Sequence, residues 1–471
     1  MSSHRILLYN PHAVFYTMPL GLLAVGSALD PARYTVDIVD ARLERDPLTT
    51  VLSRIDGALC LGVTVLTGGP IRDALRVSRA VKAKRPDLPV VWGGWHPSLF
   101  QTACLDEPGV DVTVAGQGED TFAEIVARLA AREPLDGCAG SAFRRNGSVV
   151  VNPPRRLRDV NEFPAHDYDL IPVERYFQLK GQRQVDYISS QGCRFRCAFC
   201  ADPFVYERGW VGLSPERMGR EVAALFAQYR FRELAFQDET FFTSAKRVDA
   251  ICDAFLAAGL SITWTATMRA DQATRMNDEL FAKAKRSGLR RVMIGVESGS
   301  QQMLDWMEKD ITVEQVLISA EQCVRHGIGA IFPFIVGFPG EPDESVAATM
   351  RLVKQLRRMS PQFETPIFFY QPYPGSLIAD EVARAGYPMP QTLDEWAEFD
   401  YVGSYGSWVS RKKWRMMQRF TFYQRHAFGV HPSPLHRPLQ ALSRWRCDRD
   451  FYELPIEKTV VEWLRPAPQL S

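Results

Sequence analysis

The stretch Val185-Asp186-Tyr187-Ile188-Ser189-Ser190-Gln191-Gly192-Cys193-Arg194-Phe195-Arg196-Cys197-Ala198-Phe199-Cys200 decides how the chain is read. The run Val185–Ser189 predicts a strand. It leads into three cysteines spaced C-x3-C-x2-C within eight residues. Three thiolates this close can each bind a different iron of one cubane cluster. The fourth iron is then left without a cysteine, as a metal that must bind substrate has to be. Two other readings exist. One is three buried small apolar residues in a loop. The other is a zinc site, but zinc prefers four closed ligands and no fourth lies near.

Downstream, strands and helices alternate. Ser214-Pro215 opens a helix to about Tyr229, with Ser as N-cap and Pro in the first turn. Further strands are expected at Glu233–Gln237, Ile262–Met268, Arg291–Gly295, Ala330–Val336 and Glu364–Tyr370. Six β/α units over residues 183–376 are too few for a closed eight-fold barrel, so a partial (β/α)6 TIM barrel is expected. The cysteine loop follows a strand, which places it at the barrel's catalytic, carboxyl end.

Upstream, residues 1–135 alternate as well. Strands are expected at Arg5–Tyr9, Tyr34–Val39, Ala58–Val63, Pro89–Trp92 and Val110–Ala115. Helices fall near Leu20–Leu29, Ile71–Lys84 and from Glu119 to about Ala131. Glycines stand just past the strand ends, as in a doubly wound parallel sheet that binds its ligand there. Residues 136–182, with Pro153-Pro154, Pro164 and Pro172, read as a small β-hairpin and linker. Residues 377–471 lack strand alternation and read as a helical, aromatic-rich C-terminal region. The fold class is α/β: an N-terminal doubly wound sheet, a partial barrel, then helices.

The composition agrees. At roughly 150 residues per domain, 471 residues suggest two to four domains. With 46% hydrophobic and 24% charged residues the chain is globular, which excludes wholesale disorder, collagen and a disulfide miniprotein. The 56 basic and 55 acidic residues leave net +1, so no global field draws in nucleic acid. The nine cysteines are an odd number, and the N-terminus has no basic region followed by an apolar one. No stretch of about 18 residues is apolar enough to span a bilayer. A cytoplasmic protein with reduced thiols is expected. Cys60, Cys104, Cys138, Cys252, Cys323 and Cys447 do not pair at metal spacing and read as core or isolated residues.

Charge is unevenly spread. Arg411, Lys412, Lys413, Arg415, Arg419, Arg425, Arg437, Arg444 and Arg446 lie between Tyr401 and Cys447 with no Asp or Glu among them. Three readings stand for residues 401–447: a solvated helical face packing on the barrel, a lid over an anionic or aromatic substrate, or contact with an anionic membrane surface.

The cysteine segment resembles the radical S-adenosylmethionine (SAM) superfamily, whose signature is C-x3-C-x-aromatic-C, with Phe199 in the aromatic place. The resemblance implies a 4Fe-4S cluster on Cys193, Cys197 and Cys200, with SAM on the open iron. It extends to Phe236-Gln237-Asp238-Glu239, to Arg269-Ala270-Asp271, to Gly295-Val296-Glu297-Ser298 and to Gly337-Phe338-Pro339-Gly340-Glu341. Phe199, Gln237, Asp238, Glu239, Arg269, Glu297, Ser298, Gly337 and Phe338 are the SAM contacts it implies.

A doubly wound domain ahead of such a barrel resembles the cobalamin-binding subfamily. The matching stretches are Pro19-Leu20-Gly21, Gly62-Val63-Thr64, Gly93-Gly94-Trp95-His96 and Gly116-Gln117-Gly118-Glu119. The implied cobalamin contacts are Pro19, Leu20, Gly62, Thr64, Gly93, Gly94, His96, Gly116, Gly118 and Glu119. No histidine has Asp two residues before it, so the usual Asp-x-His-x-x-Gly ligand motif is missing. Cobalamin is then expected without a lower axial histidine, and His96 reads more readily as a polar loop residue.

Together these imply an enzyme that methylates an unactivated carbon of a small-molecule or lipid-like substrate through a 5′-deoxyadenosyl radical. An external flavodoxin- or ferredoxin-type electron donor is implied. The alternatives are oxidative cyclisation, as in the anaerobic magnesium-protoporphyrin cyclase, a radical rearrangement, or an Fe–S redox or binding protein without turnover.

Overall fold

The apolar run at the head of the chain becomes a central strand. The computed structural model describes residues 3–399, 405–429 and 436–464. Its first sheet contains β1 (His4–Asn10), β2 (Tyr34–Asp40), β3 (Ala58–Thr64), β4 (Val90–Gly93), β5 (Val112–Val114), β6 (Ser141–Arg145) and β7 (Ser148–Val151). Their order is β2-β1-β3-β4-β5-β6-β7. β1 to β5 pair in parallel. Both faces of β1 are buried, which is why it is apolar throughout rather than alternating. Leu7 and Tyr9 pack on one side with Val51 and Ile71. Ile6 and Leu8 pack on the other with Leu22 and Phe122. The hairpin expected within 136–182 is β6–β7, joined at Asn146-Gly147. It extends the sheet as an antiparallel edge.

The chain divides into two compact units, Met1–Trp264 with Pro372–Asp400, and Thr265–Gln371 with Tyr401–Ser471. In the first unit, β8 (Gln184–Tyr187) runs into β9 (Ser190–Gly192). β9 pairs antiparallel with β10 (Trp210–Gly212). β8 pairs in parallel with β11 (Glu233–Phe236). β12 (Thr263–Arg269) starts beside β11, where Thr263 N–H donates to Arg232 O at 2.9 Å.

The second unit holds the rest of β12, then β13 (Leu289–Gly295), β14 (Gly329–Ile331), β15 (Phe334–Val336), β16 (Phe363–Glu364) and β17 (Ile367–Phe369). β13, β14 and β16 pair in parallel. The single strands expected at 330–336 and 364–370 are each broken in two. Pro333 and Pro366 stand at the breaks, where a residue without N–H cannot continue a ladder. β15 and β17 then pair with each other as a separate parallel ribbon.

The C-terminal helices Arg411–Phe428, Arg437–Arg449 and Ile456–Leu464 belong to the second unit. Several cations of the basic stretch are consumed there. Lys413 pairs with Asp343 at 2.9 Å and Arg419 with Glu453 at 3.1 Å. Arg446 is buried, pairs with Glu457 and donates to the carbonyls of Phe451, Glu453 and Leu454. This is packing of the basic face within the chain. Residues 401–404 and 430–435 of that stretch lie outside the described residues. Among the described residues no helix is long and apolar enough to cross a membrane.

Candidate functional site

The cysteine loop leaves β9 and returns through β10. Gly192 has φ +84°, and a Cβ there would stand 2.2 Å from Gly209 O, so only glycine lets the two backbones cross. Cys197 N-terminal to the turn is buried, and Cys193 and Cys200 are half-buried. Cys200 N–H closes the turn on Cys197 O at 3.1 Å. Burial pushes the Cys200 thiol well up, and the nearby Asp202, Cys197 and Cys193 act on it electrostatically. Among the described residues no group of three or more His, Cys, Asp or Glu is drawn tight enough for a single metal ion. A cubane does not require that, since each thiolate takes its own iron. The other six cysteines are all buried. Burial pushes Cys60, Cys104 and Cys323 up to about 12, which leaves inert thiols.

Asp238 follows β11 and is buried. It accepts from Ser189 N–H at 2.6 Å, Ser189 Oγ at 2.6 Å and Ser190 Oγ at 2.9 Å. Its carboxylate therefore holds the strand that delivers the cysteine loop. Glu239 differs. Its Oε2 is buried with no hydrogen-bond partner among the described residues, and Asp202 Oδ1 is in the same state. Burial pushes the Glu239 carboxyl well up, and Asp202 adds to it. Two unpaired buried carboxyl oxygens beside the cysteine loop suit a cationic ligand such as the SAM ammonium group. Gln237 is exposed, and its amide reaches Asp186 Oδ1 at 3.3 Å.

The sheet's carboxyl edge carries an open cleft of ≈ 750 Å³. Gly62, Thr64, Gly93, Gly94, Gly116, Gly118 and Glu119 all line it, with Leu8, Val25 and Phe122 as apolar walls. Gly94 has φ +94°, and a Cβ there would meet Thr64 Oγ1 at 2.8 Å. The residues fit a large, flat ligand that needs close backbone approach. Pro19 and Leu20 line an adjoining cleft that shares Gly21 and Thr64. That loop is fixed by Asp186 on β8, which accepts from Met18 N–H at 2.7 Å and pairs with Lys180. His96 lines neither cleft. It is fully buried, 5.2 Å from Phe100 and 5.9 Å from Trp396 between ring centroids, with Nδ1 3.1 Å from Thr67 Oγ1. Burial lowers its pKa to about 4, so it is a neutral core residue.

Three residues of this site escaped the sequence reading. Gln191 of β9 and Tyr206 of the cysteine loop line the sheet's cleft. Gln191 Nε2 donates to Glu119 Oε1 at 3.0 Å, and Gln191 Oε1 accepts from Gln117 Nε2 at 2.8 Å. Gln117 is held in turn by Arg158 N–H at 2.8 Å. The one available signal was Gln191 itself, a polar residue just before Gly192-Cys193.

The remaining expected SAM contacts lie in the second unit. Arg269 is buried, bonded to Asp271 Oδ1 at 3.0 Å and to Lys309 O. Glu297 has φ +68° and pairs with buried Lys309 at 2.6 Å. Ser298 Oγ lies 3.4 Å from Thr349 Oγ1 and accepts from Ser300 N–H at 3.1 Å. All three are anchored in their own surroundings. Gly337 O accepts from Trp408 Nε1 at 2.7 Å. Phe338 stacks on Tyr370 at 4.4 Å and meets Trp306 edge-on at 5.4 Å, which makes a flat aromatic wall.

The radical SAM superfamily matches residues 187–353 and the B12 binding domain matches residues 8–126. An uncharacterized methyltransferase of Pyrococcus horikoshii is 32% identical over 368 residues, 76% of this chain and 77% of that one. The anaerobic magnesium-protoporphyrin IX monomethyl ester cyclase of Synechocystis is 26% identical over 374 residues, 76% of this chain and 73% of that one. The solved radical SAM methyltransferase of Kitasatospora setae, with cobalamin and a [4Fe-4S] cluster bound, shares the fold at TM-score 0.74 and 16% identity, over 98% of this chain and 100% of that one. The fold and site thus define a radical SAM domain joined to a B12-binding domain. The chain belongs to the family of cobalamin-dependent radical SAM enzymes, with methyltransferases and magnesium-protoporphyrin cyclase-like enzymes among its relatives. Its cofactors are a 4Fe-4S cluster, SAM and cobalamin.

Proposed function

We propose that the protein methylates an unactivated carbon of a small-molecule or lipid-like substrate. The observation that carries this reading is the shared wall. Gln191 and Tyr206, which flank or belong to the cysteine loop, also line the cleft of the B12-type domain. A carrier in that cleft would sit beside the cluster loop, as a methyl transfer coupled to radical chemistry needs. When bound, cluster and SAM supply a 5′-deoxyadenosyl radical and cobalamin carries the methyl group.

The chain's own residues bind, orient and shield. Cys193, Cys197 and Cys200 hold the cluster. Asp238 fixes Ser189 and Ser190, and with them the loop's take-off point. Glu239 offers its unpaired oxygen to the SAM ammonium group. Leu8, Val25 and Phe122 give the cleft its apolar walls. Reducing equivalents come from an external donor of flavodoxin or ferredoxin type.

The test is anaerobic incubation of reconstituted protein with reductant and methyl-labelled SAM. Label in the product supports methylation. 5′-Deoxyadenosine without labelled product favours the second reading, an oxidative cyclisation, which the 26% identity to the magnesium-protoporphyrin cyclase brings in. Absence of 5′-deoxyadenosine sinks both.

A further inference from the structure

In the second unit, helix Asp343–Met359 ends on Arg357 and Arg358 and feeds β16. Active sites of parallel βα folds sit at the carboxyl ends of strands, so this helix end lies at the opposite edge. There, Arg357, Arg358, Pro361, Phe428, Arg444 and Asp448 line an open cleft of ≈ 830 Å³. Three of the six residues are arginines, and one is an acid.

Two of the arginines have visible reasons for their place. Arg358 pairs with Asp448 at 2.5 Å and lies 5.7 Å from the Phe428 ring centroid. As a cation in a last helical turn it also complements the helix dipole. Arg444 is anchored by Nε donating to Ala427 O at 2.8 Å. That leaves its two terminal amino groups without a hydrogen bond among the described residues.

Arg357 is different. It is only 6% exposed, and its Nε is buried with no hydrogen-bond partner among the described residues. It takes part in no ion pair there either. Burial lowers its pKa; Glu364 acts to favour the cation and Arg425 to oppose it. Glu364 is already paired with Arg291 at 3.0 Å. A buried guanidinium without an ionic partner is costly, and a bidentate oxyanion is the ligand that removes that cost.

We propose that this cleft is a binding site for a phosphate-bearing anion, gripped by Arg357, Arg358 and Arg444 over the Phe428 ring. Its lining shares no residue with the cluster loop or with the cleft of the B12-type domain. Phosphate on a soluble metabolite and phosphate in a lipid headgroup present the same chemistry to it.

The experiment uses the full-length holoenzyme. Inorganic phosphate is titrated calorimetrically at constant ionic strength, with chloride as the reference. Vesicles of phosphatidylcholine, with and without phosphatidate, form the second arm. Saturable phosphate binding that weakens at least tenfold in Arg444→Gln and Arg357→Gln, and not in Arg411→Gln, supports the site. Retention on phosphatidate vesicles that is lost in the same two variants identifies a lipid source. Phosphate binding without vesicle retention identifies a soluble one. If Arg357→Gln fails to fold by circular dichroism, the exposed Arg444→Gln decides alone. No binding in either arm, or binding unchanged in Arg444→Gln, overturns the proposal.

Discussion

Gln191 Nε2 donates to Glu119 Oε1 at 3.0 Å, joining residues 72 positions apart. Glu119 opens the helix behind the sheet's ligand cleft, and Gln191 sits two residues before the first cluster cysteine. One hydrogen bond therefore couples the cleft wall to the cysteine loop. Burial pushes the Glu119 carboxyl up, and the Gln191 bond acts to lower it.

Gln191→Leu removes the donor and strands Gln117 and Glu119 together. A lost hydrogen bond to a charged group costs about 1.5–3 kcal/mol. Cobalamin affinity should fall by roughly tenfold or more on that scale, with iron content unchanged. A spectrophotometric titration with hydroxocobalamin, beside an iron assay, reads both. Unchanged affinity would show that the Gln191 bridge does not shape the cleft.

The glycine positions were legible in sequence because the demand is local: a chain turning at a strand's end needs the same residue wherever it occurs. Gly94 and Gly116, at φ +94° and +70°, meet that demand and line one cleft, whereas Gly62 lies inside β3, where a Cβ would meet Leu8 and Phe122. Asp238, Arg269 and Glu297 were harder to place. Their roles depend on Ser189, Lys309 O and Lys309 Nζ, partners brought together only by the fold. His96 shows the same limit. Its loop suggested a ligand contact, while Phe100 and the distant Trp396 draw its ring into the core. The broken strands were readable in principle, since Pro333 and Pro366 stand in plain sight.

Gly94→Ala tests the cleft from its backbone. The new Cβ would sit 2.8 Å from Thr64 Oγ1 and 3.0 Å from Val65 N, at φ +94°. A non-glycine residue held in such a region costs on the order of 1–3 kcal/mol. The variant should melt several degrees lower and bind cobalamin poorly. Gly69→Ala is the control, because its helical Cβ meets nothing within 4 Å and it does not line the cleft. Equal melting temperatures for the two variants would contradict the assigned geometry.

Glu239→Gln tests the unpaired carboxylate beside the cysteine loop. If Oε2 receives the SAM ammonium group, neutralising it should weaken SAM binding roughly tenfold to a hundredfold, the scale of a charge-assisted bond. The brown cluster chromophore should persist, because Glu239 is not its ligand. Loss of that chromophore is expected instead for Cys193→Ala, Cys197→Ala and Cys200→Ala. Equilibrium dialysis with SAM and a visible spectrum separate the two effects. Tight SAM binding by the Gln variant would exclude the assigned role.

Glu341 supplies a pH test in the second unit. Burial raises its carboxyl to about 7, even though it accepts from Gly337 N–H, and its Oε1 has no partner among the described residues. A folded pKa above the unfolded value of 4.5 means the native state holds the proton more tightly. Stability from this group is full below pH 4.5 and is lost as pH rises through about 7. The loss is on the order of 3 kcal/mol. Glu341→Gln keeps an acceptor for Gly337 but cannot ionise. Its melting temperature should therefore change less than wild type between acid and neutral pH, and should exceed wild type above pH 7. Thermal melts of both proteins across that range decide the matter, and parallel curves would show that folding leaves the Glu341 carboxyl unshifted.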